Sequence, residues 1–213
     1  MNDELKKRIE LEKLLSSYVG EDRVIKSHEK DEEIKNLPAV PSLNLGIPGI
    51  NAILDGVQGG ELVVVSGETG EGKSLLCQTI TVNLEKQGIG CVWFPYELGD
   101  RQFLARFKDS LPLFYLPRKL SNNGIDWVEN RIKEAKIKYD CKVVFIDHIG
   151  FLSDVERKKD GKRFELESLI RKIKRIAVDE DMTVFVMWHN RKPPEWSKNH
   201  EADSSDLKES SAI

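Results

Sequence analysis

A glycine-rich loop at residues 67–74 has the composition and spacing of a phosphate-binding loop. The apolar run Leu62–Val65 leads into Gly-Glu-Thr-Gly-Glu-Gly-Lys-Ser, a Walker A sequence. The three glycines let the backbone curl so that successive N–H groups point at a phosphate chain. Lys73 can then reach the β- and γ-phosphates, and the Ser74 hydroxyl can ligate Mg²⁺. A chance match in a glycine-rich turn is the alternative, but the apolar run before the loop and the helical pattern after it favour a nucleoside triphosphate site. The residues predicted to bind the nucleotide are Gly67, Glu68, Thr69, Gly70, Glu71, Gly72, Lys73, Ser74 and Leu75.

Two carboxylates follow apolar runs that are typical of strands. Asp147 comes directly after Lys142–Ile146, and Glu97 comes shortly after Cys91–Pro95. Because ligands of open α/β sheets lie at the carboxyl ends of the strands, both side chains are predicted to face the nucleotide. Asp147 would hold Mg²⁺ together with the serine of the loop, and Glu97 would orient and deprotonate the attacking water. The alternatives are that Asp147 begins a turn and that Glu97 caps a helix starting near Asp100.

Composition limits the classes of protein that this chain can represent. Its 213 residues are 39% hydrophobic, which suits one sizeable core. The net charge of −3 provides no global basic field, so any contact with nucleic acid must come from local loops. There is no apolar run of the ~20 residues that a membrane span needs, nor a signal-peptide pattern, so we expect a cytoplasmic protein, or a viral one acting in the host cytoplasm, that does not associate with membranes. The three cysteines show neither metal-ligand nor disulfide spacing and are predicted to be reduced and buried: Cys77, Cys91 and Cys141.

The segments around these motifs form two predicted parts, residues 1–36 and 37–213. In the first, apolar side chains at helical spacing predict an amphipathic helix over Asp3–Val19, with Gly20 as its stop and a charged stretch after it. In the second, strands alternate with helices, which predicts a mostly parallel sheet covered on both faces. The predicted strands are Leu62–Val65, Cys91–Pro95, Leu113–Leu116, Lys142–Ile146 and Thr183–Trp188. The predicted helices are Ser74–Gln87, Asp100–Asp109, Ile125–Tyr139 and Arg163–Glu180.

Four further segments carry a resemblance to a known family. Residues 45–61, 96–106, 144–153 and 205–213 resemble, in the same order, motifs of the DnaB-type replicative DNA helicases of superfamily 4. The last of them, Ser-Asp-Leu-Lys-Glu-Ser-Ser, is similar to the family's Asp-Leu-Arg-Glu-Ser-Gly signature. The resemblance covers residues 43–213 and implies a RecA-like P-loop NTPase core that uses ATP and Mg²⁺. It also implies an ATP-dependent helicase that moves 5′ to 3′ on single-stranded DNA as a hexameric ring.

The resemblance assigns roles to individual residues. It makes Lys73 and Glu97 catalytic, with Glu97 as general base, and it places Asp147 on Mg²⁺. It further implies a γ-phosphate sensor at the end of the fifth predicted strand, where most bacterial members have Gln and this chain has His189. His189 is similar to the histidine of the phage and mitochondrial helicases, and either side chain can donate a hydrogen bond to the γ-phosphate. The alternative is a histidine packed at the strand end.

In the family, the loop after the Walker B strand, which corresponds here to the strand before Asp147, and the loop after the sensor contact the DNA backbone. The corresponding basic residues here are Arg157, Lys158, Lys159, Lys162, Arg163, Arg191 and Lys192. Phosphate contacts by such clusters are sensitive to salt. The alternative is that these charges belong to solvated loops without a ligand.

The resemblance also has departures. The sequence stops at Ile213, whereas family members continue through further strands that carry an arginine finger, a group that can contribute ~10³–10⁵ in rate. We therefore expect weak turnover and a largely monomeric chain. A recombinase-like or KaiC-like ATPase of the same fold, and a nucleotide-dependent binding or loading module with weak turnover, remain as alternative functions.

Overall fold

The structure is a computed structural model and describes residues 3–37, 41–107, 111–152 and 162–189. The chain divides into two compact units, Met1–Ala39 and Val40–Ile213. None of the described helices has the length and apolar composition of a membrane span.

The first unit contains two helices, α1 (Asp3–Ser16) and α2 (Ser27–Lys35). The predicted N-terminal helix is confirmed but ends before Val19. The hydroxyls of Ser16 and Ser17 donate to the Lys13 carbonyl at 2.9 and 3.1 Å, bonds that compete with helix continuation. The second helix lies in the charged stretch for which no helix was predicted, and it has no buried residue. Ion pairs one turn apart, such as that of Lys35 with Asp31 at 2.5 Å, support α2 locally.

The second unit is built on a four-stranded sheet. Its strands are β1 (Leu62–Gly67), β2 (Gly90–Pro95), β3 (Cys141–Asp147) and β4 (Thr183–His189). They lie in the order β1-β4-β3-β2, and each neighbouring pair is parallel. The helices are α3 (Pro48–Leu54), α4 (Lys73–Glu85), α5 (Asp100–Ala105), α6 (Ile125–Tyr139) and α7 (Lys162–Asp179), with a 3-10 turn at Ile149–Phe151. The predicted α/β class with a parallel sheet is confirmed.

The predicted strand Leu113–Leu116 is wrong as a regular strand. Tyr115 alone bridges to the sheet: its N–H donates to the Cys91 carbonyl at 2.8 Å, and its carbonyl accepts from the Trp93 N–H at 2.9 Å. Pro112 and Pro117 flank this segment. Because proline cannot donate to a sheet ladder and tends to lie at sheet edges, the pairing stops after one bridge.

Among the helices, the largest differences from prediction concern α5 and α3. Helix α5 ends at Ala105 rather than Asp109, and α3 is a short helix that the sequence pattern did not predict. Pro48 begins α3, at the first helical position where proline is favoured. Asp55 ends it in the left-handed conformation with φ of 51°. A proline start and a left-handed stop only seven residues apart leave too little periodicity for a sequence pattern to show a helix.

Helices cover both faces of the sheet because successive side chains of each strand point to opposite sides. On one face, α6 and α7 pack on Val92, Val144 and Val184. On the other face, α4 and α5 pack on a row of aromatic rings at one register level, Trp93, Phe145 and Phe185. Neighbouring rings in this row have centroids 4.6 and 5.0 Å apart. The row holds β2, β3 and β4 in register, so their carboxyl ends lie level at one edge.

The three cysteines are free and buried, as predicted. Burial raises the pKa of the Cys141 thiol to about 12, and Asp140 nearby acts in the same direction. Burial also raises the pKa values of the Cys77 and Cys91 thiols well above the ordinary range. These thiols therefore remain protonated at neutral pH and serve as small core side chains.

Candidate functional site

The strand register brings the predicted site residues to one edge of the sheet. Gly67 at the end of β1 pairs with His189 at the end of β4. Asp147 at the end of β3 pairs with Pro95 of β2, and the Glu97 N–H donates to the Asp147 carbonyl at 3.0 Å. The phosphate-binding loop, both acidic residues and the candidate sensor thus share the carboxyl edge, where α/β sheets bind ligands.

The loop has the backbone shape that its glycines allow. Gly70 and Gly72 have φ values of 92° and 86°, in the left-handed region where residues with a Cβ are strained. Helix α4 begins directly after Gly72, and no side chain caps its first turn. Because the first N–H groups of a helix have no partner within the helix, this end provides donors and a positive dipole end for an anion.

The Lys73 ammonium lies inside the loop. Its Nζ donates to the Gly67 carbonyl at 2.9 Å and to the Glu68 carbonyl at 2.7 Å, and the side chain is buried. A buried ammonium needs such acceptors, and phosphate oxygens can replace the carbonyls as partners. The loop is also braced within itself, because Glu71 Oε2 accepts from the Glu68 N–H at 2.7 Å.

The two predicted metal ligands are in direct contact. Ser74 Oγ donates to Asp147 Oδ2 at 2.6 Å, and Asp147 is only 2% exposed. Burial raises the pKa of the Asp147 carboxyl; the hydrogen bond from Ser74 opposes this shift and the nearby Glu97 charge adds to it. A hydroxyl and a carboxylate are the hard oxygen ligands that Mg²⁺ takes, and a divalent cation would compensate the buried negative charge. The donor set therefore fits Mg²⁺.

His189 links the general-base candidate to the loop. Its Nε2 lies 3.3 Å from Glu97 Oε2, and its Nδ1 lies 3.3 Å from Thr69 Oγ1. Since a carboxylate only accepts, His189 donates from Nε2 to Glu97, and in the tautomer with the hydrogen on Nε2 its Nδ1 accepts the Thr69 hydroxyl. The N-cap of α5 is Gly99, with no side-chain cap bond, so the geometry gives no support to the alternative that Glu97 caps this helix.

One residue at this edge was not predicted from the sequence. His148 follows Asp147 directly, joined to it by a cis peptide bond, and its Nδ1 accepts from the Gly150 N–H at 3.0 Å. Its ring meets the His189 ring edge to face with centroids 4.4 Å apart. Burial, and then the neighbouring His189, lower the pKa of His148 to about 4, so the ring is neutral at pH 7. The sequence signal that could have identified this residue is its position directly after the predicted metal ligand.

The predicted DNA-contacting residues lie mostly beyond the described residues. This applies to Arg157, Lys158, Lys159, Arg191 and Lys192, and to the signature at residues 205–213. Lys162 was predicted in a loop, and Arg163 both at the end of that loop and as the first residue of the following helix; the backbone places both in the first turn of α7. DNA contact by these residues stays a prediction.

Comparison with known proteins finds a family match over part of the chain. Residues 116–213 match the family model described as the DnaB-like helicase C-terminal domain. The match covers a little less than half of the 213 residues. The predicted resemblance is thereby confirmed, whereas the histidine sensor stays a prediction. The matched range contains Asp147 and His189 but not the phosphate-binding loop or Glu97.

One curated relative and two solved structures extend the comparison. A probable replicative DNA helicase of Trieres chinensis is 21% identical over 207 residues, which cover 83% of this chain and 46% of that relative. The chain thus spans less than half the length of that helicase. One solved structure, of an isolated ATPase domain, superimposes with a TM-score of 0.69 at 12% identity, covering 85% of this chain and 75% of that one. A DnaB-like replicative helicase, solved in a study of its interactions with primase, superimposes with a TM-score of 0.72 at 13% identity. That superposition covers 95% of this chain and 57% of the helicase chain. These structures confirm the RecA-like fold.

Proposed function

We propose that this chain is an ATP-binding and ATP-hydrolysing motor domain of a replicative DNA helicase that acts on single-stranded DNA. The contact between Ser74 and Asp147 at 2.6 Å carries the proposal, because it joins the phosphate-binding loop to the acidic strand end across the sheet edge. The DnaB-like family match supports the helicase assignment over a recombinase-like or KaiC-like ATPase of the same fold.

In the proposed mechanism, the loop N–H groups and the start of α4 hold the phosphate chain. Lys73 exchanges its loop carbonyls for β- and γ-phosphate oxygens. Ser74 and Asp147 would hold Mg²⁺, which when bound neutralises charge on the phosphates. Glu97 accepts a proton from the attacking water, which must stand in line with the leaving oxygen.

His189 connects this chemistry to the proposed DNA contacts. It makes hydrogen bonds with Glu97 on one side and with Thr69 of the loop on the other, both at 3.3 Å. A γ-phosphate placed between these groups would accept the hydrogen bond that His189 Nε2–H now donates to Glu97. Loss of the γ-phosphate on hydrolysis would restore the hydrogen bond to Glu97. Arg191 and Lys192 come directly after this strand, so we propose that the change in hydrogen bonding alters their contact with DNA.

The test replaces Lys73 with alanine. We expect K73A to lose ATP binding, measured with a fluorescent ATP analogue, while its melting temperature stays within a few degrees of the parent. The lysine stabilises ligand charge rather than the core, so the fold should survive. Unchanged ATP affinity in K73A would remove the loop assignment.

The helicase part of the proposal needs a separate measurement. Steady-state ATP hydrolysis is followed with and without single-stranded DNA across a protein concentration series, alongside sedimentation. Stimulation by DNA supports the motor assignment. A rise in specific activity with concentration would indicate the oligomer that the resemblance implies and would contradict the largely monomeric chain expected above. Tight ATP binding without DNA-stimulated turnover would instead favour a nucleotide-dependent binding or loading module.

A further inference from the structure

His148 shares the space in which the proposed base and sensor meet. Glu97, His148 and His189 each offer a polar atom, and these three atoms lie within 4.8 Å of one another. The His148 and His189 rings stand nearly perpendicular, at 88°. A third polar side chain therefore faces the position at which the γ-phosphate and the attacking water would lie if the proposed function holds.

The backbone around His148 determines which ring nitrogen carries the hydrogen. The Gly150 N–H points at Nδ1 from 3.0 Å, so Nδ1 must supply the lone pair. In a neutral imidazole the other nitrogen then bears the hydrogen, which makes Nε2 a donor. The contact is made by backbone only two residues away, in the 3-10 turn that follows β3, so it also limits rotation of the ring.

This tautomer argues against a metal ion held by the same three residues. A histidine ligates a metal through an unprotonated nitrogen and commonly donates a hydrogen bond from the other one. Here Nδ1 accepts a hydrogen bond, so ligation through Nε2 would place a hydrogen on Nδ1 against the Gly150 N–H. A candidate trio of two histidines and one carboxylate is thus better suited to donate a hydrogen bond than to hold a cation.

We propose that His148 is a second hydrogen-bond donor to the transferred phosphoryl group, acting from Nε2–H beside the donor of His189. The inference rests on the proposed ATPase function and adds a catalytic residue to it. Donors aimed at charge that develops in the transition state contribute more there than in the ground state. His148 should therefore affect the rate of hydrolysis more than the binding of ATP.

Two substitutions separate donation from packing. H148L keeps an apolar side chain against His189 but has no donor, whereas H148Q keeps an N–H group near the position of Nε2. We expect H148L to lower kcat by about 10²-fold, the effect of removing one such donor, while ATP affinity changes by less than about tenfold. H148Q should recover kcat to within about tenfold of the parent. His28 of α2 lies outside this trio, so H28Q serves as the matched control and should behave as the parent.

Equal kcat values for H148L and the parent would overturn the proposal. So would an H148Q variant as slow as H148L, because loss of packing alone would then account for both. A measurement on the parent protein covers the case in which H148L does not fold. Long-range proton–nitrogen NMR of the His148 ring should show the Nε2–H tautomer, and binding of ADP–aluminium fluoride should move the Nε2–H resonance downfield. An Nδ1–H tautomer, or no response to ADP–aluminium fluoride, would refute donation.

The same data separate this inference from the proposed function. If the parent binds and hydrolyses ATP while the His148 variants match it, only the inference fails. If the parent binds nucleotide without hydrolysing it, the relative affinities of parent and variants for ADP and ADP–aluminium fluoride still decide whether His148 is a donor. If the parent binds neither, the proposed function and the inference that rests on it both fail.

Discussion

Replacement of Glu97 by glutamine is the sharpest test of the chemistry at the sheet edge. The glutamine retains an oxygen that can accept from His189 Nε2–H, whose present contact with Glu97 is 3.3 Å, so the link to the sensor survives. What it loses is the ability to take a proton. If Glu97 is the general base, E97Q should bind Mg-ATP as the parent does and hydrolyse it more slowly by about 10²–10⁴-fold.

The expected size of each effect follows from where Glu97 lies. A 10²–10⁴-fold loss of rate corresponds to about 3–5 kcal/mol of transition-state stabilisation, at 1.36 kcal/mol per tenfold. The Glu97 side chain is 32% exposed, so an isosteric change should alter the free energy of unfolding by no more than about 0.5 kcal/mol. E97Q should therefore lose much more transition-state stabilisation than folding stability.

The assay compares single-turnover ATP hydrolysis, ATP-analogue affinity and melting temperature for the parent, E97Q and E85Q. Glu85 is the matched control, because it is the last residue of α4 and lies outside the residues assigned to the site. E85Q makes the same chemical change away from the sheet edge, so it should hydrolyse ATP at close to the parent rate. Hydrolysis by E97Q within threefold of the parent would refute the general-base assignment. An equal loss in both variants would attribute the effect to a general loss of negative charge rather than to lost proton acceptance at Glu97.

Two further predictions concern the core that supports the site. The buried Thr81 hydroxyl accepts from Trp93 Nε1 at 2.9 Å, so T81V should leave that N–H unpaired. We expect T81V to lower the free energy of unfolding by about 1–3 kcal/mol and Tm by ~2–4 °C per kcal/mol. The control T79V, at an exposed threonine, should change stability little. Unchanged stability of T81V, read by thermal and denaturant unfolding, would contradict the packing described for the aromatic row. Because burial raises the pKa of all three cysteine thiols, none should react with a thiol reagent at pH 7.5 in the folded protein, and all three should react in denaturant; a thiol that reacts rapidly in the folded protein would show that its burial is wrong.

Local signals were sufficient for much of this protein. The loop at residues 67–74 requires glycines at left-handed positions and a lysine and a serine at fixed offsets, all within one turn of chain, so its type was readable from spacing. Helix α6 was predicted with the bounds that the structure has, because its apolar residues repeat with the helical period. Strands β2 and β3 were found as apolar runs ending before a carboxylate, which is typical of strands buried on both faces.

Other elements were decided by context. Helix α2 is stabilised by ion pairs along its own surface and buries nothing, so it has no apolar period to detect. The segment around Tyr115 has the composition of a strand, yet its flanking prolines limit it to one bridge with β2. Composition alone does not distinguish a full strand from a single bridge, because the difference lies in hydrogen bonds to a distant part of the chain.

Local sequence patterns were enough to identify the types of the chemical groups: a phosphate-binding loop, an acidic residue at each of two strand ends and a histidine at a third. Which of these groups meet depends on the fold. The order β1-β4-β3-β2 places the last strand between the first and the third, and this brings His189 between Thr69 and Glu97. It also brings His148 against His189, and the Gly150 N–H selects its tautomer. Strand order and register depend on packing between residues far apart in the chain, such as the row of Trp93, Phe145 and Phe185, and no local spacing encodes them.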